Sequence, residues 1–132
     1  MKALGKYFTY NELTHTNCGL INVPNKEQTD NLIQLVANVL DPLRELYNKP
    51  IKINSGFRSE LVNKFVKGAN NSDHLYGFAA DLDCGSKAEN KILFNLIREN
   101  FTFKQLINDK NYSWVHVSFD PDNIKNQLLA IS

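Results

Sequence analysis

The sequence predicts an α+β fold: a small antiparallel sheet packed against two or three helices. Three observations predict it. Two long stretches carry apolar residues at helical spacing. Several short segments alternate apolar and polar residues, as half-buried strands do. The last two such segments follow one another across a hairpin turn, which favours antiparallel pairing.

Residues 7–13 (YFTYNEL) read as a short strand or turn entering a helical turn, with Thr9 as N-cap and Glu12 in capping-box position. THTNCGLINVPN is rich in turn formers and reads as loop. Asn25-Lys26-Glu27-Gln28 opens a strong helix, with Leu32, Leu35, Val36, Val39, Leu40, Leu43 and Leu46 at helical spacing. Pro42 should kink or restart it, because proline has no N–H and crowds the preceding turn. Pro50 marks its end. Residues 50–54 (PIKIN) read as a strand, SGFRS as a turn, and residues 59–67 as a short helix stopped by Gly68.

A polar loop, ANNSDHLYG, leads to a strand at 78–83 (FAADLD) and a turn at CGSK. Residues 86–100 form the second strong helix. Ser86 caps it, with Glu89 in capping-box position, and Ile92, Leu93, Leu96 and Ile97 make its core stripe. Residues 103–108 and 114–119 are the hairpin strands, joined by DKNYS, and the tail carries Pro121 and an apolar ending, LLAI.

The 132 residues form one domain, 1–132, with enough chain to bury a core without disulfides. Hydrophobic residues at 42% and charged residues at 22% exclude a disordered tail, a fibrous repeat and a disulfide-framed miniprotein. Fifteen Lys and Arg against 14 Asp and Glu, with no basic run longer than two, argue against a nucleic-acid partner. No apolar stretch approaches the ~18 residues that span a bilayer, so no membrane insertion is expected. MKALGKYFTYNEL lacks the apolar region of a secretory signal, which points to accumulation in the cytoplasm. Cys18 and Cys84 form no CxxC and read as buried free thiols in a reducing compartment. A monomer is the expected state.

The residues that can do chemistry are few. His74 ends the polar loop, and Asp81 lies seven residues on in an otherwise apolar strand. A carboxylate there is expensive to bury unless it is paired or bound to a cation. In WVHVSF, alternation puts Trp114, His116 and Ser118 on one face and Val115, Val117 and Phe119 on the other. Two imidazoles and one carboxylate are a common catalytic zinc set. Ordinary hydrogen-bonded histidines, and aspartates closing a turn, satisfy the same spacing. Tyr76, Tyr112 and Trp114 line a cleft or join the core, and His15 reads as a loop histidine.

The strings Ser55-Gly56-Phe57-Arg58-Ser59, Val62-Asn63-Lys64, Ser72-Asp73-His74, Gly77-Phe78-Ala79-Ala80-Asp81 and Trp114-Val115-His116-Val117-Ser118 occur in that order. They resemble the zinc D-Ala-D-Ala carboxypeptidase family, bacterial and phage peptidases of peptidoglycan whose pattern is SGYRS, SxHxxGxAxD and WxH. The likeness runs from about Phe8 to about Phe119 and is strongest to the short, phage-like, single-domain members.

The resemblance implies a zinc site on the open face of the sheet, with His74, Asp81 and His116 as ligands. It implies that Arg58 orients substrate and stabilises the oxyanion, and that Ser72, otherwise a loop cap, contacts substrate. It also implies a carboxylate that takes a proton from the attacking water and passes it to the leaving amine. Many relatives carry that acid three residues before the last histidine, where this chain has Ser113. Others carry a glutamate two residues after Gln-Leu-Ile, where this chain has Asp109, one methylene shorter and otherwise a turn residue.

The implied activity is hydrolysis of stem peptides or cross-links of peptidoglycan by a D-Ala-type carboxypeptidase or endopeptidase. The alternative is a catalytically weak zinc-containing binding module of the same fold. For a phage-derived chain without a signal, the wall would be reached once a holin opens the membrane.

Overall fold

The computed structural model describes residues 2–131. Thr9 caps α1 (Tyr10–Thr14) through the expected reciprocal box: its hydroxyl accepts from Glu12 N, while Glu12 Oε1 accepts from Thr9 N. Asn25 and Gln28 make a second such box at α2 (Lys26–Leu35).

The helix then widens into a π turn, Val36–Leu40, and continues as α3 (Asp41–Tyr47). Pro42 supplies the physical reason. It cannot donate to the turn behind it, so the ladder shifts by one residue and Pro42 falls in the first turn of α3, where no N–H is required. The proline re-registers the helix and does not end it.

The remaining elements are β1 (Lys52–Ser55), α4 (Glu60–Phe65), a 3-10 turn (Asp73–Tyr76), β2 (Ala79–Asp83), α5 (Lys87–Asn100), β3 (Gln105–Asp109), β4 (Trp114–Ser118) and β5 (Gln127–Ile131). The sheet order is β1-β2-β4-β3-β5, antiparallel except that β5 runs parallel to β3.

The apolar ending of the tail, LLAI, lies in β5, a strand the sequence pattern does not predict. That strand pairs on one side only and leaves Leu128 and Ile131 about half exposed, so it carries no alternation to read. The expected strand at 103–108 lies at 105–109, which makes Asp109 the last strand residue and not a turn residue.

Leu32, Leu35, Val36, Val39, Leu40 and Leu43 from the long helical unit, Leu93 and Ile97 from α5, and Leu82, Leu106, Val115 and Val117 from the sheet are all fully buried. Leu46 and Ile92, expected in the core, are 49% and 46% exposed. The stripe of α5 runs through Asn90, Leu93, Phe94 and Ile97, and Ile92 stands about 100° off it. Leu46 stands likewise beside Leu43 and Tyr47.

The cysteines are free, but half-buried and not buried, since both lie in connections outside the packed layers. No helix among the described residues is long and apolar enough to cross a membrane.

Val115 and Val117 face the helices, and Trp114, His116 and Ser118 face away, as the alternation requires. The second face is not open, however. The segment around the 3-10 turn lies over it and brings the His74 ring 5.1 Å from that of His116.

Candidate metal centre

Strand register places two of the three expected ligands. Asp81 on β2 pairs with His116 on β4, Ser55 on β1 pairs with Asp81, and Ile107 on β3 pairs with His116. Ser55, Asp81, His116 and Ile107 therefore form one row across the sheet on the face away from the helices.

His74 arrives from outside the sheet. Ser72 Oγ accepts from His74 N and starts the 3-10 turn, and Gly77 ends it at a φ of 80°. A Cβ on Gly77 would also collide with the Gln28 carbonyl oxygen of α2. The side chains of Gln28 and Asn31 donate to the carbonyls of Leu75 and Tyr76, so α2 pins the turn that carries His74.

The atoms converge. His74 Nδ1 lies 2.7 Å from the Gly56 carbonyl, which can only accept, so Nδ1 carries a proton and Nε2 is the nitrogen turned toward the site. That Nε2 is 3.3 Å from Asp81 Oδ1, and His116 Nδ1 is 3.0 Å from the same oxygen. Ligands about 2.0–2.1 Å from a tetrahedral ion are separated by about 3.3 Å, so these spacings match the edges of a zinc tetrahedron. The three donor atoms lie within 4.8 Å of one another, and all three residues are buried. His116 Nε2 is buried without a partner among the described residues, so this ring keeps a nitrogen that no described protein group satisfies. Two imidazoles and a carboxylate suit zinc better than hard cations such as Ca²⁺ or Mg²⁺.

Burial opposes charge on Asp81, but His74 and His116 outweigh it and hold the carboxyl well below the usual range. Arg58 stands on the other side of that carboxylate, with Nη2 3.2 Å from Asp81 Oδ2. Its Nε donates to Ser55 Oγ at 3.0 Å and its Nη1 to Asn63 Oδ1 at 3.3 Å, so each edge of the guanidinium has a partner. Burial pulls its pKa down and Asp81 pushes it back up.

Residues 6–118 match the family model described as peptidase M15. The chain belongs to the peptidase M15 family. A zinc D-Ala-D-Ala carboxypeptidase from Streptomyces albus G is 58% identical over 40 residues, 30% of this chain and 16% of that protein. The likeness thus covers about one-sixth of the carboxypeptidase's length.

In this M15 chain the other expected site residues lie close by. Asp109 ends β3 opposite Trp114, on the same face as His116 and one step diagonally from it. Burial, and then the charge of Asp81, raise the Asp109 carboxyl above the ordinary range; His116, Trp114 and Lys110 pull the other way. Ser113 is no rival, since its hydroxyl donates to the Lys110 carbonyl at 2.7 Å and is committed to the hairpin.

Ser72 caps the 3-10 turn and also lines a cavity of about 420 Å³ with Lys104, Gln105, Ile107, His116 and Lys125. A second cavity of about 450 Å³ reaches Arg58 and Ser55 over an apolar floor of Phe57, Val62 and Phe65. His15 lines that cavity and Tyr76 is 48% exposed, while Tyr112 packs against the core.

Sequence reasoning missed several residues that hold this M15 site together. Ser55 and Asn63 belong to the SGFRS and VNK strings, and both accept hydrogen bonds that orient Arg58. Asp73 and Lys104 form an ion pair of 2.7 Å, with only 9% and 19% of the side chains exposed, that ties the His74 turn to the start of β3. A buried asparagine at a core position of α5, Asn90, was the one readable sign of a further polar network.

Proposed function

We propose that the chain is a zinc peptidase that hydrolyses peptide bonds in peptidoglycan stem peptides or cross-links. The observation that carries this reading is the meeting of His74, Asp81 and His116, with Asp81 Oδ1 3.3 Å from His74 Nε2 and 3.0 Å from His116 Nδ1, and Arg58 held beside them. In it, His74, Asp81 and His116 hold the zinc. Bound there, zinc supplies a Lewis acid that polarises a carbonyl and lowers the pKa of water toward about 7.

Arg58 binds the developing oxyanion or a substrate carboxylate, and its three hydrogen-bonded partners remove the entropy of finding that pose. Asp109 accepts the proton of the attacking water and delivers it to the leaving amine. Ser72 contacts the peptide from the wall of the cavity beside His116. The two cavities flank the row of site residues and accommodate the peptide on either side of the scissile bond.

A second reading, a zinc-containing binding module, draws on one feature: Ser113 stands where an acid is expected, and its hydroxyl is committed to the Lys110 carbonyl. Digestion of purified peptidoglycan with the zinc-loaded chain, followed by mass analysis, tests both. New fragments ending at a D-Ala or other stem residue support the peptidase. Binding without any new fragment transfers the site to recognition.

A further inference from the structure

Asn90 occupies a position where a helix normally buries a leucine. It lies in register with Leu93, Phe94 and Ile97 and is 1% exposed. A buried amide is costly unless its hydrogen bonds are met, and all of this one's are. Asn90 Oδ1 accepts from Cys84 N at 2.7 Å. Its Nδ2 is shared among Asp83 Oδ1 at 3.1 Å, the Tyr112 carbonyl at 2.9 Å and the Ser113 carbonyl at 3.2 Å.

The first two partners, Cys84 and Asp83, lie at the end of the strand that carries Asp81. The last two lie in the hairpin that carries Asp109. One side chain therefore ties the metal-ligand strand to the hairpin of the proposed proton acceptor.

That hairpin needs tying. Lys110, Asn111 and Tyr112 take φ values of 47°, 53° and 62°, three consecutive non-glycine residues in the left-handed region. Such a run persists only where its surroundings over-determine it. The restraints are visible: Tyr112 N donates to Asn108 Oδ1 at 2.6 Å, and Ser113 N donates to the Asp109 carbonyl at 3.0 Å. The Tyr112 ring also meets Phe94 of α5 edge-on, with centroids 5.7 Å apart. Beyond the β2–β4 ladder itself, Asn90 adds a side-chain restraint from the turn of the hairpin to the end of β2. An aspartate has less reach than a glutamate and so less tolerance for a hairpin that drifts.

We infer that Asn90 is a positioning residue for catalysis: it sets the placement of Asp109 relative to the Asp81–His116 pair. This rests on the reading of Asp109 as proton acceptor.

The test uses the full zinc-loaded chain and Asn90→Ala. The expected result is a fall in kcat of about tenfold or more, with KM changed less than about threefold and zinc stoichiometry kept. A residue that merely supports the fold would lower the melting temperature and leave kcat per folded, zinc-loaded molecule unchanged, and that result overturns the inference.

A second readout needs no turnover. Trp114, the sole tryptophan, stands opposite Asp109. Cobalt(II) in place of zinc should quench it, and the quenching should weaken in Asn90→Ala; unchanged quenching counts against the inference. Should Asn90→Ala fail to fold, Asn108→Ala loosens the same hairpin from its other side. Faster amide exchange at Tyr112 and Ser113 with a lower kcat supports the inference, and faster exchange with wild-type kcat overturns it. Asp109→Asn is the control. Wild-type turnover in that variant removes the shuttle reading by itself, and the cobalt quenching still decides whether Asn90 places the hairpin.

Discussion

Asp81 and His116 face each other across the β2–β4 ladder, with Asp81 Oδ1 3.0 Å from His116 Nδ1. Backbone pairing alone therefore sets two donors at ligand spacing before any metal arrives. His74, which comes from a turn outside the sheet, closes the set. A site built mostly from strand register is stiff, so losing a donor should not be repaired by local rearrangement.

For that reason we predict that His116→Ala loses most of its zinc affinity while the fold survives. Three protein ligands leave no spare donor. Elemental analysis of the purified variant, with competition against a chelator, measures this. Wild-type stoichiometry and affinity would show that the ion sits elsewhere.

Arg58→Lys should lower kcat/KM by about 10²-fold, on the scale of losing one oxyanion donor, with zinc content unchanged. The structural reason is the number of partners. Arg58 donates from Nε to Ser55, from Nη1 to Asn63 and from Nη2 to Asp81. A lysine ammonium cannot hold that planar fork. Steady-state rates on a defined muropeptide decide; an unaltered rate would make Arg58 a structural partner of Asp81 only.

Gly77→Ala should destabilise the chain by at least about 1–2 kcal/mol, the cost of a left-handed non-glycine residue. It should also weaken zinc binding. Gly77 sits at φ 80°, and a Cβ there meets the Gln28 carbonyl oxygen of α2. The turn that must shift to relieve that contact is the one that carries His74. Urea unfolding of the zinc-free variant gives the first number and metal titration the second. Wild-type values for both would mean that the turn has slack the geometry does not suggest.

What was legible in the sequence follows from which interactions are local. The face of β4 that bears His116 follows from alternation, and the caps at Thr9 and Ser86 follow from three-residue spacings. The site residues came mainly from motif resemblance, because His74 and Asp81 seven residues apart carry little information alone. Illegible were the contacts that depend on tertiary placement: Asn63 on Arg58, Lys104 on Asp73, and Asn90 on the Tyr112 and Ser113 carbonyls. β5 was missed because a singly paired edge strand with exposed leucines has no buried face to pattern. Ile92 was misplaced because it stands on the side of α5 away from the stripe of Asn90, Leu93, Phe94 and Ile97.

The proton acceptor gives the most exposed prediction. Asp109→Asn should abolish most hydrolysis with zinc still bound, Ser113→Ala should do little, and Asp109→Glu should retain or raise activity by restoring reach. The pH dependence follows in sign. Only the ionised carboxylate accepts a proton, and burial together with the charge of Asp81 raises the Asp109 pKa above the ordinary aspartate value of about 3.9. Activity should therefore fall as pH drops through a point above that value. Lys110 opposes the shift, so Lys110→Gln removes a stabiliser of the carboxylate and should move the acid limb to higher pH. The kcat/KM profile of wild type and Lys110→Gln measures both effects. An acid limb that stays in place in Lys110→Gln, or full turnover in Asp109→Asn, would assign the proton transfer to another group.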